Sequence, residues 1–325
     1  MSVTSYLIIL GLLSSIRAVP VSVRAIVPPP RGAQVHKRAL IIGVDGLDGA
    51  EMYNSDTPAL NTLQSGGLWS RNARTHWTGG TISGPGWTSV LTGVEVVDHN
   101  ITGNGGYEFR NRDYPTLMYK LKQAGYQTAA SIQWTDIFDI LEEDCCDASN
   151  RGSQQEVTDW VVERLKKETD PDDVIFVHLD DVDHAGHSHG FNAKNIHYVD
   201  AIEAADHNIL EMINAVSTGP NVANEEWLII VSADHGGDVG GSHGGITADY
   251  RQIPLVISGP TEEKGIIPEG FGNHMDIHPT TLDFFGLDPY PEGMDGRSWL
   301  HPIKGMHSIP IIGKLKDVFN DNIVK

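Results

Sequence analysis

The stretch Ala39-Leu-Ile-Ile-Gly-Val-Asp45-Gly46 decides the fold of this chain. Residues 39–44 form a continuous apolar run, which is typical of a strand buried on both faces of a parallel sheet. Asp45 and Gly46 end the run with a turn. In open sheets of this kind, ligands bind beyond the carboxyl ends of the strands. Asp45 therefore marks the edge of the sheet at which a functional site is expected.

Other segments repeat this alternation of strand and helix. Further strands are predicted at residues 127–132, 174–179, 227–231 and 253–257. Helices are predicted at residues 115–125, with proline in the first turn, at 196–213, and at 277–285, ending at Gly286. The pattern predicts an α/β fold, in which a doubly wound, mostly parallel sheet is flanked by helices on both faces.

The charge composition limits the kinds of partner that the chain could bind. Its 325 residues include 23 basic and 43 acidic side chains, which gives a net charge of −20. Such a chain offers no nucleic-acid groove, because a groove needs clustered Lys and Arg. A small anionic substrate would have to be attracted by local cations, and bound metal can supply them.

The two ends of the chain are predicted to lie outside a single catalytic domain at residues 39–300. Residues 1–18 resemble a signal peptide, because the apolar run at 6–13 is too short to span a bilayer and small residues follow it. Residues 19–38 read as a leader and 301–325 as a tail. No transmembrane anchor is predicted, and we expect a secreted protein. Asn100 begins a glycosylation sequon.

The two cysteines, Cys145 and Cys146, are adjacent. A disulfide between neighbours is geometrically awkward, because bridged Cα atoms normally lie about 4.4–6.8 Å apart. We expect free thiols or an intermolecular bridge. The pair is not a zinc site, since a structural zinc needs four well-spaced ligands.

Carboxylates and imidazoles recur after the predicted strands and in glycine-rich loops. These candidate metal ligands are Asp45, Asp183, His187, Asp234, His235 and His243. Oxygen and imidazole nitrogen are the ligands that Zn²⁺ accepts when cysteine is absent. Two neighbouring zinc ions can activate a nucleophile and hold both ends of a phosphoryl displacement. The set therefore indicates a two-zinc hydrolase of phosphoric esters.

Each candidate also has a structural interpretation when it is taken alone. Asp45 suits a helix cap or a solvated turn, and His187 and His243 suit solvated loops. Ca²⁺ could take the carboxylates, but it prefers shells made entirely of oxygen, which three histidines do not supply.

Ser83 opens the run Ser83-Gly-Pro-Gly-Trp-Thr-Ser-Val-Leu-Thr-Gly93, which has the features of a helix with proline in its first turn. Ser83 suits an N-cap, and it equally suits a nucleophile at the positive end of a helix dipole. A serine hydroxyl needs a base or a metal to remove its proton before it can attack.

Together these motifs resemble the alkaline phosphatase superfamily, and most closely its type I phosphodiesterase and nucleotide pyrophosphatase branch, over residues 39–286. The resemblance implies that Asp183, His187 and His243 hold one zinc. It assigns a second zinc to Asp45, Asp234 and His235, with Ser83 as a ligand and nucleophile. That branch usually has threonine where this chain has Ser83.

The same resemblance places Asn104 on a phosphoryl oxygen of the substrate, although Asn104 also suits a turn beside glycine. Trp87 stands where sulfatases of the superfamily carry an arginine, and no arginine follows Ser83 closely. A singly charged phosphodiester or pyrophosphate, such as a nucleotide, therefore fits better than a monoester, unless Arg74 or Arg110 reaches the site. The alternatives are a phosphomonoesterase or phosphonate hydrolase of the same fold, and a secreted acidic protein that binds metal without turnover.

Overall fold

The computed structural model describes residues 35–105, 113–291 and 293–301. The proposed signal peptide, most of the leader, and the tail beyond His301 lie outside these residues, as does Arg110. Among the described residues, no helix combines the length and apolar character needed to cross a bilayer.

A single eight-stranded sheet organises the described chain, with the order β4-β3-β5-β1-β6-β7-β2-β8. The strands are β1 His36–Val44, β2 Gly67–Arg74, β3 Thr128–Ile132, β4 Ala148–Arg151, β5 Val174–Leu179, β6 Glu225–Ser232, β7 Gln252–Ser258 and β8 Gly265–Ile266. β1 runs parallel to β5 and β6, and β3 runs parallel to β4 and β5. β7 is antiparallel to both of its neighbours. The predicted fold class, a mostly parallel α/β sheet, is confirmed.

Helices cover the sheet in two groups. They are α1 Pro58–Gly66, α2 Ser83–Thr92, α3 Val96–His99, α4 Leu117–Gln123, α5 Ile137–Ile140, α6 Gln154–Leu165, α7 Asp181–His189, α8 Ile196–Ser217, α9 Ala248–Arg251 and α10 Ile277–Phe284. α1, α6 and α7 pack against α8, whereas α3, α5 and α10 pack against α2. Short 3-10 turns occur at Glu51–Asn54, Val222–Asn224 and His274–Asp276.

Several predicted boundaries differ from those of the structure. β1 starts at His36, so the last residues of the predicted leader belong to the sheet. α4 begins at Leu117 after the N-cap Thr116, which leaves Pro115 outside the helix. α2 begins with Ser83 itself, because Ile82 occupies the N-cap position and makes no side-chain cap. The N-cap interpretation of Ser83 is therefore wrong.

A buried ion pair lies at the amino ends of the central strands. Arg38 Nη1 donates to Glu225 Oε1 at 3.0 Å, and both side chains are buried. The guanidinium also lies 4.4 Å from the ring of Trp227, whose Nε1 donates to the second carboxylate oxygen. A buried carboxylate is stable here because it has a cation and donors. At the opposite end of the same strands, Asp45 and Asp234 each keep one buried oxygen that has no hydrogen-bond partner among the described residues.

Candidate metal centre

Three adjacent parallel strands deliver the candidate ligands to one edge of the sheet. Asp45 directly follows β1, and Asp234 and His235 follow β6 after Ala233. Asp183 lies in the first turn of α7, a few residues beyond β5. Since β5, β1 and β6 are neighbours in the sheet, their carboxyl ends place these side chains together.

The first group of ligands surrounds His235. Its Nε2 lies 3.4 Å from Oδ1 of Asp45 and 3.3 Å from Oδ2 of Asp234. Oγ of Ser83, at the start of α2, lies 3.2 Å from the same nitrogen. All four side chains are buried, Ser83 being the most accessible at 6%.

The second group surrounds Asp183. Its Oδ2 lies 3.3 Å from Nε2 of His187, one turn later on α7. Its Oδ1 lies 3.8 Å from Nε2 of His243, which a glycine-rich loop delivers after β6. The two imidazole Nε2 atoms are only 2.9 Å apart.

The two groups form one centre. The rings of His235 and His243 stack with centroids 3.7 Å apart. Ligand atoms of Asp183, His235 and His243 all lie within 4.8 Å of one another, and the same holds for Asp45, Asp234 and His235. The structure thus brings together every metal ligand predicted from the sequence.

Backbone carbonyls fix the tautomers of the three histidines. Nδ1 of each ring contacts a carbonyl oxygen: His187 that of Gly241, His235 that of Gly236, and His243 that of Thr81. A carbonyl only accepts, so Nδ1–H is the donor and each neutral ring carries a lone pair on Nε2. All three Nε2 lone pairs face the centre, as they do in proteins where a carbonyl oxygen orients a metal-binding histidine through its other nitrogen.

Each of the three aspartates leaves one buried oxygen without a hydrogen-bond partner among the described residues. For Asp45 this is Oδ1, while Oδ2 accepts from Trp87. For Asp234 it is Oδ2, while Oδ1 accepts from the amide of Gly46. For Asp183 it is Oδ1. Buried oxygens of this kind are costly unless a cation or a donor contacts them.

The pKa values reflect this crowding. Burial, together with the charges on Asp45 and Asp180, raises the pKa of Asp183 to about 9. Burial and the other two aspartates raise the pKa of Asp234 well above its ordinary value. Burial opposes ionisation of Asp45 too, yet the hydrogen bond from His178 and the nearby imidazoles lower its pKa.

Burial also lowers the pKa of His235 to about 3, so its imidazole is neutral. Carboxylates that repel one another and neutral imidazoles whose lone pairs converge fit bound divalent cations, which would satisfy both. The carboxylates and imidazoles are therefore chemically suited to a metal centre.

Gly46 allows this close packing. Its φ of +67° lies in the left-handed region, and a Cβ there would lie 2.8 Å from Oδ1 of Asp183. A side chain would therefore both strain the backbone and enter the space between the two groups of ligands.

Asn104 lies beside the start of α2. Its Oδ1 accepts from the amide of Gly84 at 2.8 Å, which orients the side chain toward the residue after Ser83. The Gly84 amide is thereby engaged by protein, and the amide NH₂ is the donor end of Asn104.

Trp87 and His178 also contact Asp45, and the sequence-based prediction assigned neither to this role. Nε1 of Trp87 donates to Oδ2 at 2.8 Å, and Nε2 of His178 lies 3.1 Å from the same oxygen. The sequence does contain a sign that His178 has a specific role, because it is a histidine inside the otherwise apolar strand β5. Trp87 is 1% exposed, so its indole is buried in the protein interior.

Two arginines near the loop before α2 bond to backbone carbonyls. Nη2 of Arg251 donates to the carbonyls of Trp77 and Gly79, and Nη1 of Arg74 donates to Ala248. Both guanidinium groups therefore stabilise the backbone of neighbouring loops. Trp77 itself is 63% exposed.

Sheet and site together define a member of the alkaline phosphatase superfamily. A sequence profile of the type I phosphodiesterase / nucleotide pyrophosphatase family matches residues 39–240, a range that holds every residue of the centre except His243. The chain belongs to this family, which confirms the resemblance inferred from its motifs.

A curated relative matches over a shorter stretch. The multifunctional alkaline phosphatase superfamily protein PehA of Trinickia caryophylli is 39% identical over 82 residues, which cover 23% of this chain and 16% of that protein. The chain therefore spans only a small part of the length of this relative.

Solved structures share the fold. Murine ectonucleotide pyrophosphatase / phosphodiesterase 5, as an inactive variant in complex with AMP, matches with a TM-score of 0.65 and 13% identity over 81% of this chain and 98% of that one. A 2-O glycosaminoglycan sulfatase matches with a TM-score of 0.63 and 15% identity over 84% and 76%. At these identities the likeness concerns the fold.

Proposed function

We propose that this protein is a two-zinc hydrolase that cleaves phosphodiester or pyrophosphate bonds with Ser83 as its nucleophile. The observation that carries the proposal is the position of Ser83 Oγ, 3.2 Å from His235 Nε2. The same nitrogen lies 3.4 Å from Oδ1 of Asp45 and 3.3 Å from Oδ2 of Asp234, two oxygens without a hydrogen-bond partner among the described residues. Oγ also stands at the amino end of the ten-residue helix α2, where the helix dipole favours an anion.

The ligands divide into two sets in this proposal. Asp45, Asp234, His235 and Ser83 would hold one zinc, and Asp183, His187 and His243 the other. Bound zinc would supply the positive charge that lowers the pKa of the serine hydroxyl and offsets the charge of the phosphate.

Ser83 acts in two stages. Its Oγ attacks phosphorus in line with the departing oxygen, and a phosphoserine forms as the first product alcohol or phosphate leaves. Water then attacks the phosphoserine and returns the hydroxyl. The NH₂ group of Asn104 donates to an equatorial phosphoryl oxygen, in an orientation set by its bond from Gly84.

Charge favours a diester over a monoester. Two zinc ions bring +4, and three aspartates with a serine alkoxide bring −4, so the loaded site is close to neutral. A dianionic monoester needs a guanidinium in addition, but Arg251 and Arg74 bond to loop carbonyls. A nucleotide is the proposed substrate type, and AMP bound to the murine relative supports it.

The deciding experiment uses a metal-stripped enzyme reloaded with zinc. Hydrolysis of bis-p-nitrophenyl phosphate should vanish on chelation, return with zinc, and exceed that of p-nitrophenyl phosphate. A clear preference for p-nitrophenyl phosphate would instead identify a phosphomonoesterase. No turnover of either ester, or of an aryl phosphonate or sulfate, by zinc-loaded protein would leave a non-catalytic metal-binding protein.

We further propose that the chain is secreted, with residues 1–18 removed. Asn100 is exposed and lies just past α3, so its side chain is accessible for glycosylation. Amino-terminal sequencing of the protein from the culture medium should begin near residue 19. Retention of residue 1 in a chain that stays in the cell would contradict this localisation.

A further inference from the structure

Asp45 differs from the other aspartates of the centre because two side chains bind the same oxygen. Trp87 Nε1 donates to Oδ2 at 2.8 Å, and His178 Nε2 approaches it at 3.1 Å. Trp87, His178 and Asp45 are all essentially inaccessible to solvent. Within the described part of the chain, Oδ1 has no hydrogen-bond partner, and it lies 3.4 Å from His235 Nε2.

The direction of the second bond follows from the other nitrogen of His178. The backbone N–H of Trp134 points at Nδ1 with an N···N distance of 3.4 Å, so Nδ1 is an acceptor. A neutral imidazole then carries its hydrogen on Nε2, and this hydrogen is donated to Asp45. Oδ2 therefore accepts two N–H donors from two different elements, α2 and β5.

Packing prevents either donor from turning away. The Trp87 ring meets His178 edge-on, with centroids 4.9 Å apart, and meets Phe176 in the same manner at 6.2 Å. Gly43, two residues before Asp45, makes the space for the indole, since a Cβ there would lie only 2.3 Å from Cη2 of Trp87.

We propose that Trp87 and His178 are positioning residues, which reserve Oδ2 of Asp45 for hydrogen bonding and leave Oδ1 alone to bind a cation. The inference rests on the metal-dependent function proposed above. Ligand atoms of Asp45, His178 and Asp180 also lie within 4.8 Å of one another. Both nitrogens of His178 are engaged, however, Nε2 as a donor to Asp45 and Nδ1 as an acceptor from Trp134, so His178 has no lone pair to offer a third cation.

Loss of partners that orient a ligand typically lowers metal affinity about 10–100-fold. We expect this loss in Trp87→Phe, which keeps an aromatic ring but removes the N–H, and in His178→Leu. His178→Gln returns an N–H donor near the position of Nε2 and should recover most of the affinity.

Trp69→Phe is the matched control. Trp69 is 3% exposed, and its Nε1 has no hydrogen-bond partner among the described residues. This substitution makes the same chemical change in the same fold without touching Asp45, so it reports the cost of replacing a buried indole.

The experiment measures metal binding without substrate. Each full-length variant is stripped, and its two zinc dissociation constants are determined by competition with a chromophoric chelator. The visible absorption of the Co²⁺-loaded protein is recorded as well, because its intensity responds to coordination number. Thermal unfolding of the metal-free forms identifies variants that are folded.

The expected result is weaker binding of one of two ions and an altered cobalt spectrum in Trp87→Phe and His178→Leu, with His178→Gln and Trp69→Phe close to native. Unchanged affinity and spectrum in folded Trp87→Phe would overturn the proposal, as would three bound ions per native chain. If these metal results appear but Ser83→Ala still hydrolyses esters, the positioning role stands and the serine mechanism fails.

Discussion

Oγ of Ser83 lies 3.2 Å from Nε2 of His235, although 152 positions separate the two residues in the chain. The contact joins the first residue of α2 to the carboxyl end of β6. Because Nδ1–H of His235 is donated to the carbonyl of Gly236, the lone pair of Nε2 faces the serine. The hydroxyl of Ser83 and Oδ1 of Asp45 thus both lie within 3.4 Å of the Nε2 atom of His235.

The nucleophile can be tested at Ser83. Ser83→Ala should lower kcat for bis-p-nitrophenyl phosphate by on the order of 10³-fold or more, because no oxygen remains to attack. Ser83→Thr keeps a hydroxyl of the same reactivity and should retain substantial turnover. Ser89→Ala on the same helix removes a hydroxyl that contacts His99 and should leave kcat near native. Equal activity of the Ser83→Ala variant and the native enzyme would contradict a serine nucleophile.

Buried histidines outside the metal centre predict acid instability. Burial lowers the pKa of His99 to about 3, and burial with the nearby Lys120 lowers the pKa of His278 to about 3. In the unfolded chain each titrates near 6.5, so below that pH the unfolded state binds protons that the native state does not. The contribution of these histidines to the free energy of unfolding is therefore fully present above pH 6.5. It decreases as the pH falls, by roughly 1.4 kcal/mol per pH unit for each such histidine.

Urea unfolding of the metal-free native protein and of His99→Asn between pH 7.5 and 5 measures this loss by difference, because the other buried groups, including Asp183 with its raised pKa, titrate in both proteins. Toward pH 5, His99→Asn should lose less stability than the native protein, by up to about one proton in the slope. His207→Gln, on the exposed surface of α8, is the control and should leave the dependence as it is. The same pH dependence in His99→Asn and in the native chain would show that His99 binds its proton in the native state as readily as in the unfolded chain.

The ion pair at the amino ends of the strands predicts a purely structural effect. Glu225→Gln leaves the buried guanidinium of Arg38 without its counter-charge and should lower the free energy of unfolding by about 3–5 kcal/mol. Lys122→Gln removes a partly exposed pair with Asp147 and should cost less than about 1 kcal/mol. Urea denaturation separates the two, and a Glu225→Gln change as small as that of Lys122→Gln would contradict the argument.

The sequence is sufficient to predict the central sheet, because short continuous apolar runs such as those of β1, β5 and β6 are typical of strands buried on both faces. It is less informative about the edges. β2 and β4 alternate polar and apolar residues only weakly, and the prediction omits both. It also omits α6, although Ser153 and Glu156 form a capping box that the spacing alone indicates. The direction of β7 depends on pairing with β6, which no local pattern encodes.

At the site, residue type and local position predict side chains that do converge: Asp45 and Asp234 come after strands, and His243 lies in a glycine-rich loop. The partners of Asp45 were harder to predict. Trp87 has the pattern of a core residue of a helix, and only its contact across 42 positions shows that its N–H is directed at a ligand. Such contacts depend on how α2 packs on the sheet, which is a tertiary property.

Asp183 provides a test of the metal centre that needs no substrate. Its pKa, raised to about 9 by burial and by Asp45, means that this carboxyl is protonated in the metal-free protein at pH 7. Asn has nearly the same shape as a protonated Asp and is also neutral, so Asp183→Asn should leave the metal-free unfolding free energy almost unchanged. Zinc binding should then separate the two proteins.

Native protein gains about 2.7 kcal/mol when free zinc is 100 times the dissociation constant, because the ion binds the folded state. Asp183→Asn lacks an anionic ligand to one ion and should gain much less in the same titration, followed by thermal or urea unfolding. Asp181→Asn, an exposed change on the same helix, is the control and should gain as much as native protein. If Asp183→Asn were stabilised by zinc as strongly as the native chain, Asp183 would not be a ligand, because a neutral amide cannot replace a carboxylate on a dication without loss of affinity.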